Sequence, residues 1–338
     1  MNTKDLSRLL DDNDPYEEML NASKRRPRKT GRHPKQISKS DYEFLKEQDD
    51  SRKTFRFTYK AARFEEWWLT ETLGAFYEHK WIGDVLKKVK VGKEASVYLC
   101  KPAREIDAPL LAAKIYRPSS LRSLKNVQEY RQGRADLDEE GHLLWKEADI
   151  NAIVKRTKYG EEVRHTSWIA YEYKTMEDLF NAGADVPKVY AKEKNAILMC
   201  FIGDLTTAAP ILNSVSLEAD EAQVLFERVI HNIDLMLKHN CIHGDLSAYN
   251  ILYWNGEISL IDFPQIVIPE SNPSAWKIFQ RDVMRVCQYF SAQGVECNPQ
   301  KLAADLWTSH GHKIFKPLEP KDLDPEKAED RKVWEKQK

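Results

Sequence analysis

Residues 242–265, IHGDLSAYNILYWNGEISLIDFPQ, constrain the fold of this chain more tightly than any other stretch. Residues 251–254 and 257–261 each read as a short strand. Asn255-Gly256 between them is a strong two-residue hairpin signal, because both residues tolerate positive φ. Such a turn sets the register: Trp254 opposite Glu257, Tyr253 opposite Ile258, Leu252 opposite Ser259 and Ile251 opposite Leu260. Asn250 then faces Ile261, beside Asp262. Three polar side chains set among apolar neighbours, Asp245, Asn250 and Asp262, are thereby expected in one neighbourhood.

These residue types suit phosphoryl transfer. That chemistry needs a carboxylate to position or deprotonate a nucleophile, and oxygen ligands for Mg²⁺ on ATP phosphates. The spacing H-x-D-x-x-x-x-N, followed by Asp262-Phe263, matches the catalytic-loop and metal-loop pattern of protein kinases. A polar loop on an ordinary hairpin is the plain alternative. Hairpin, Asn and Asp-Phe falling in one register argue against it.

At 338 residues the chain is long enough for about two domains or one bilobal domain. A formal net charge of −1 gives no global attraction to nucleic acid. Cys100, Cys200, Cys241, Cys287 and Cys297 lie far apart with no C-x-x-C pair, which fits isolated thiols in a reducing cytoplasm and argues against zinc. No apolar run approaches the ~20 residues of a membrane helix. The start, MNTKDLSRLLDDND, is too acidic and polar for a signal peptide. No membrane association is expected, and no internal repeat is evident.

Residues 1–62 are polar, with a basic run at 24–39, and are expected to form a flexible arm. The arm reads equally as an RNA-binding or polyanion-binding segment and as a solvated tail. Residues 63–90 carry apolar recurrence near helical spacing (Phe64, Trp67, Trp68, Leu73, Phe76), predicting a helix packed on the adjoining domain. Residues 89–100 predict strand, loop and strand, with Gly92 at the turn, then Lys93, Glu94 and Ser96. In residues 110–116, LLAAKIY, Lys114 is a lone charge inside an apolar strand and costly to bury unpartnered. A phosphate ligand held by a carboxylate is the sharper reading; a snorkelling edge lysine is the plain one. Residues 118–166 are charged and punctuated by glycines, expected in part as a mobile loop. Residues 168–180 predict a helix on which Glu172 is the best partner for Lys114, with Glu177 and Asp178 competing. Residues 196–203 predict a buried strand. Residues 216–240 predict a helix with Ser216 as N-cap, and 275–292 and 299–308 predict two more. The charged end, 317–338, is expected to be mobile.

These pieces resemble the RIO family of atypical protein kinases. The resemblance rests on VGKEASVY (91–98), AAKIYR (112–117), YEYKTM (171–176), MCFIG (199–203), HGDLSAYNILY (243–253) and IDFPQ (261–265), spanning roughly residues 63–310. It implies an α+β, shortened bilobal kinase-like fold. A β-rich N-lobe (91–202, flexible insertion 118–166) would precede a helical C-lobe (203–316), with ATP and Mg²⁺ or Mn²⁺ between them. It implies Asp245 as catalytic aspartate, Asn250 and Asp262 as metal ligands, and Lys114 on the phosphates paired with Glu172. Gly92, Lys93, Glu94, Ser96 and Val97 would cover the nucleotide, with Met199, Phe201 and Ile202 at the adenine side. Some family members turn over ATP, carry phosphate transiently on the aspartate equivalent to Asp262, and act in maturation of the small ribosomal subunit. An ATP-driven switch is therefore a rival to Ser/Thr protein phosphorylation. A ribosomal particle or RNA becomes a candidate partner for the basic arm.

Departures from ordinary kinases narrow the expectation. Gly244 stands where an arginine would read a phosphorylated activation loop, and Pro264 follows Asp262-Phe263 where kinases place Gly. Proline restricts its own φ and the preceding residue, so the metal loop should be rigid. No A-P-E closes an activation loop, so a peptide platform is expected to be missing. Aminoglycoside and choline kinases share H-G-D-x-x-x-x-N, but G-K-E-A-S-V-Y and D-F-P-Q weigh against a small-molecule phosphotransferase.

Overall fold

Strand alternation decides the layout of the first half. In LAAKIY, Leu111, Ala113 and Ile115 point to one side of the sheet, and Ala112, Lys114 and Tyr116 to the other. Each side has its own cover, and the two covers become two cores. The computed structural model describes residues 55–92, 94–117, 130, 132–314 and 327, all within one unit, Thr54–Lys338.

In chain order, α1 (Arg63–Glu78) leads into the strands β1 (Ile82–Val91), β2 (Ala95–Pro102) and β3 (Leu111–Tyr116). Helices α2 (Glu147–Val154) and α3 (Lys158–Asn181) follow, then β4 (Val189–Glu193) and β5 (Ala196–Cys200). After a 3₁₀ turn at Leu212–Ser214 come α4 (Ala219–Lys238), the hairpin β6 (Ile251–Trp254) and β7 (Glu257–Leu260), α5 (Ala275–Ala292) and α6 (Pro299–Ser309). The five N-terminal strands form one antiparallel sheet, ordered β1-β2-β3-β5-β4. Leu69, Leu73 and Phe76 of α1 pack with Leu111, Ala113, Ile115, Tyr98 and Leu198 on one face. Leu99, Ala112, Tyr116, Ile197 and Met199 on the other face join α3 and the helical half in the larger core. There α4 contributes Leu225, Val229 and Ile233, and α5 contributes Ile278, Val283 and Phe290. The result is the expected α+β arrangement of β-rich and helical lobes.

Four expectations are corrected. The helix predicted over 63–90 ends at Glu78; Lys80 adopts φ 58°, and Ile82–Val91 pairs with β2 instead. Lysines alternating with Val85, Val89 and Val91 mask a strand within a helix-like apolar count. The insertion expected to reach residue 166 gives way to α3 at Lys158, where the Thr157 hydroxyl caps Gly160 N–H at 3.0 Å. Gly160 is helical rather than loop punctuation. A Cβ there would lie 2.0 Å from the Ala152 carbonyl, so glycine lets α2 and α3 touch. The N-cap of α4 is Glu218 rather than Ser216, because the backbone is still extended at Glu218; Leu217 N–H, outside the helix, donates to the Gln293 side chain at 3.1 Å. The arm as far as residue 54, residues 118–129 and 131 of the insertion, and the tail beyond 314 (residue 327 apart) lie outside the described residues. No helix among the described residues is long and apolar enough to cross a membrane.

Candidate active site

The hairpin pairs in the register that its turn dictates, from Trp254–Glu257 to Ile251–Leu260. Asn255 (φ 52°) and Gly256 (φ 83°) both occupy the left-handed region, as a type I′ turn requires. One step beyond the strands, Ile261 N–H donates to the Asn250 carbonyl at 2.9 Å. The Asn250 amide nitrogen donates to the Asp245 carbonyl at 2.9 Å and lies 3.4 Å from Asp245 Oδ2. Asp245, Asn250 and Asp262 are thus brought together.

His243 links the two acidic loops. Its Nδ1 accepts Asp245 N–H at 3.3 Å, which leaves Nε2–H to donate to the Ile261 carbonyl at 3.1 Å. The ring is buried against Phe263, with centroids 4.7 Å apart. Burial lowers the imidazole pKa despite the neighbouring Asp262 and Asp245, so it is a neutral strut. Asp262 itself sits at φ 71°, which aspartate tolerates better than most residues. Beyond it, Trp168 Nε1–H holds the Pro264 carbonyl at 3.0 Å, so α3 fastens the loop as well.

Lys114 is the joint between the lobes. Its ammonium donates to Glu172 Oε1 at 2.6 Å and to Asp262 Oδ1 at 2.7 Å. Burial alone would lower its pKa, but the Asp262 and Glu172 carboxylates outweigh burial and raise it. Asp262 is likewise held below the usual carboxylate range, where Lys114 outweighs desolvation. Glu172 is 1% exposed, and its second oxygen accepts the Tyr116 hydroxyl at 2.7 Å. The competing carboxylates are used elsewhere: Glu177 faces Tyr173, and Asp178 pairs with Lys174. An ammonium has three N–H donors, so one of Lys114's remains for a phosphate.

Three residues essential to this geometry escape sequence reasoning. Gly244 adopts φ 81°, and a Cβ there would lie 2.0 Å from the Gln265 carbonyl. It is therefore a packing requirement, and more than a missing arginine. Its N–H donates to Asp282 Oδ2 at 2.8 Å, and Arg281 donates to its carbonyl. Asp282 is buried on α5, and burial pushes its carboxyl up to about 7. Arg285, one turn further along α5, places Nη1 2.7 Å from Asp245 Oδ1. In sequence it is one more charge on an amphipathic helix. Asp282 carries a faint signal, as an acid on the apolar stripe of that helix.

The nucleotide-side expectations divide. Gly92 N–H donates to the Ala95 carbonyl at 2.9 Å, and a Cβ there would meet that same oxygen at 2.9 Å, so glycine makes the tight β1–β2 turn. The Glu94 carbonyl accepts Arg117 N–H at 2.9 Å. Val97 lies across from Lys114, and Met199 across from Ala112, on the face turned to the helical lobe. Ser96 lies across from Ile115, on the face covered by α1, so its side chain is turned away from Lys114. Phe201 is buried in the larger core, while Ile202 is half-buried with its carbonyl taken by Ala209 N–H. Lys93 lies outside the described residues. Among the described residues no three His, Cys, Asp or Glu side chains are placed to hold a metal.

Two stability measurements test this geometry. Lys114→Met should destabilise by about 3 kcal/mol, since it strands a buried carboxylate, and Lys114→Met with Glu172→Leu should recover most of that. Chemical denaturation would read both, and a single-variant loss within ~0.5 kcal/mol would deny a buried, coupled pair. The Asp282 carboxyl is raised in the folded state, so its protonated form contributes stability that is lost as pH climbs toward 7. The advantage of wild type over Asp282→Asn should therefore shrink from pH 5 to 7, by up to about 1.4 kcal/mol per unit, and level off above. An advantage that grows with pH would mean that the ionised form holds the loop.

Comparison with known proteins places this geometry in a family. The RIO domain model matches residues 96–302. A RIO-type serine/threonine-protein kinase Rio1 of Haloferax volcanii is 28% identical over 214 residues, covering 63% of this chain and 66% of that protein. The protein of the same name in Thermoplasma acidophilum is 33% identical over 135 residues, or 40% of this chain and 69% of its own. Human serine/threonine-protein kinase RIO3 is 33% identical over 131 residues, 38% of this chain and 25% of its own length. With the matched residues making up more than half of it, and with the lysine, glutamate and paired acidic loops assembled as described, the chain belongs to the RIO domain family.

Proposed function

We propose that the protein is an ATP-dependent phosphotransferase of the RIO serine/threonine kinase type. The observation that carries the reading is Lys114 held between Glu172 and Asp262 while Asn250, bonded to Asp245, takes the N–H of Ile261 beside Asp262. Lys114 would place its remaining N–H on an ATP phosphate, with Glu172 fixing its position. The Ile202 N–H has no hydrogen-bond partner among the described residues and is a donor suited to adenine. Asp245 would accept the hydrogen bond of the substrate hydroxyl and take its proton as the phosphoryl group transfers.

The donor set also fits a hard divalent cation. Asn250 uses its nitrogen on Asp245, which leaves Oδ1 without a donor among the described residues, and Asp262 Oδ2 is likewise unused. Asp262 and Asn250 would hold Mg²⁺ or Mn²⁺, which would neutralise phosphate charge when bound. One carboxylate and one amide are too few oxygens alone, so phosphate oxygens and water would complete the shell.

A second reading, an ATP-driven switch with phosphate passing to Asp262, is favoured by one observation. The Asp262 side chain is 43% exposed although it is ion-paired, so it is open to attack a phosphoryl group. Action on a ribosomal particle, and the RNA-binding arm, belong to this reading and rest on family resemblance. Cytoplasmic location rests on the scattered cysteines, all five of which are free thiols.

With labelled ATP and Mg²⁺, the purified full chain should transfer or release phosphate. Asp245→Asn should lower that rate by at least about a hundredfold while ATP affinity stays within about threefold. Unchanged turnover would remove Asp245 from its role. A hydroxylamine-sensitive phosphoenzyme would select the switch.

A further inference from the structure

One face of α5 carries a row of three basic side chains that runs from Asp245 to a cavity. Lys277, Arg281 and Arg285 recur every fourth residue, which confines them to a sector of about 80° and a span of about 12 Å. Arg285 is the inner end, on Asp245. Arg281 is the middle; besides Gly244 it reaches Asp282 at 3.2 Å and the Tyr130 hydroxyl at 3.0 Å. Lys277 is the outer end, exposed and without an ion pair to any described residue. Between this end and the start of α6 lies a cavity of about 310 Å³. Lys277, Arg281, Gln280 and Gln300 give it polar edges, Met284 and Pro299 give it apolar walls, and none of the described residues that line it is a carboxylate.

The Arg285–Asp245 pair poses a problem for transfer to a hydroxyl, because it occupies one oxygen of the group that must receive the proton. The two side chains are 37% and 41% exposed. An ion pair so open to water is worth under ~1 kcal/mol, so it exchanges readily if another anion arrives. A neutral substrate brings none, whereas an acidic one does.

We propose, on the footing that Asp245 serves phosphoryl transfer, that this face docks an acidic protein segment. Asp or Glu side chains of the substrate enter the α5–α6 cavity at Lys277 and Arg281. A further carboxylate takes Arg285 off Asp245, so that the bound substrate frees the carboxylate it needs. The apolar walls suit a peptide. Among the described residues that line the cavity none carries an aromatic ring on which a nucleotide base could stack, and the Tyr130 ring beside it is already engaged by Arg281, which disfavours RNA.

The test uses the full chain and labelled peptides that carry serine flanked by Glu, Gln or Lys. Fluorescence anisotropy should give the Glu peptide about tenfold tighter binding than the Gln peptide, with the gap closing as salt rises. Lys277→Glu should erase that preference and favour the Lys peptide. In transfer assays Arg285→Gln should raise kcat for the Gln peptide and so narrow the acidic-over-neutral ratio of kcat/KM. Equal binding of the Glu and Gln peptides, or equal weakening of both by Lys277→Glu, would overturn the proposal. Displacement of the Glu peptide by single-stranded RNA more effectively than by unlabelled peptide would overturn it in favour of a nucleic-acid surface. Anisotropy needs no turnover, so a protein that discriminates the peptides yet never transfers phosphate would sink the kinase reading and leave the docking face standing.

Discussion

A single ammonium in an apolar strand ties the two halves of this molecule together. Lys114 stands in β3 between residues whose side chains build a core, and a charge there is tolerable only with partners. It has two, and they come from different places: Glu172 from α3 and Asp262 from the loop after the hairpin. The sheet, the helix behind it and the acidic loop are therefore referred to one point. Glu172 is the structural partner, fully buried and fixed on its other oxygen by Tyr116. Asp262 is the working partner, close enough to pair yet exposed enough to receive a ligand.

The acidic loops are held mainly through backbone groups. His243 takes a backbone N–H from one loop and gives its own to a carbonyl of the other. Asp282 and Arg281 grip the N–H and carbonyl of Gly244 from below, and Trp168 grips the Pro264 carbonyl from the side. Helices α3 and α5 and the hairpin thus fix the directions of Asp245 and Asp262. This arrangement suits a transfer that depends on positioning and charge more than on covalent chemistry by the protein.

How much of this could be read from the chain depends on what kind of interaction does the work. The hairpin register was legible because Asn255-Gly256 admits one turn geometry and the side-chain period of two does the rest. Lys114 was legible as a charge out of place. Glu172 was legible only as one of three carboxylates on one helix, since the choice among them is made by the sheet that α3 packs against. The left-handed backbone at Gly244 and Asp262, and the reach of Asp282 and Arg285 from α5, were not legible. Each depends on the approach of segments that are distant along the chain, and only Asp282, an acid on an apolar stripe, leaves a faint trace in the pattern. β1 was misread because its lysines hide the alternation, and the start of α3 because Gly160 resembles a loop residue until α2 is seen against it.

The central claim is that Asp262, braced by Lys114, joins nucleotide binding to a divalent cation. It is tested most directly by equilibrium binding of ATP to the full chain with and without Mg²⁺, in wild type and in Asp262→Asn. The account predicts that Mg²⁺ tightens ATP binding to wild type by at least about tenfold and leaves the variant's affinity unchanged. An equal Mg²⁺ enhancement in both proteins would contradict it.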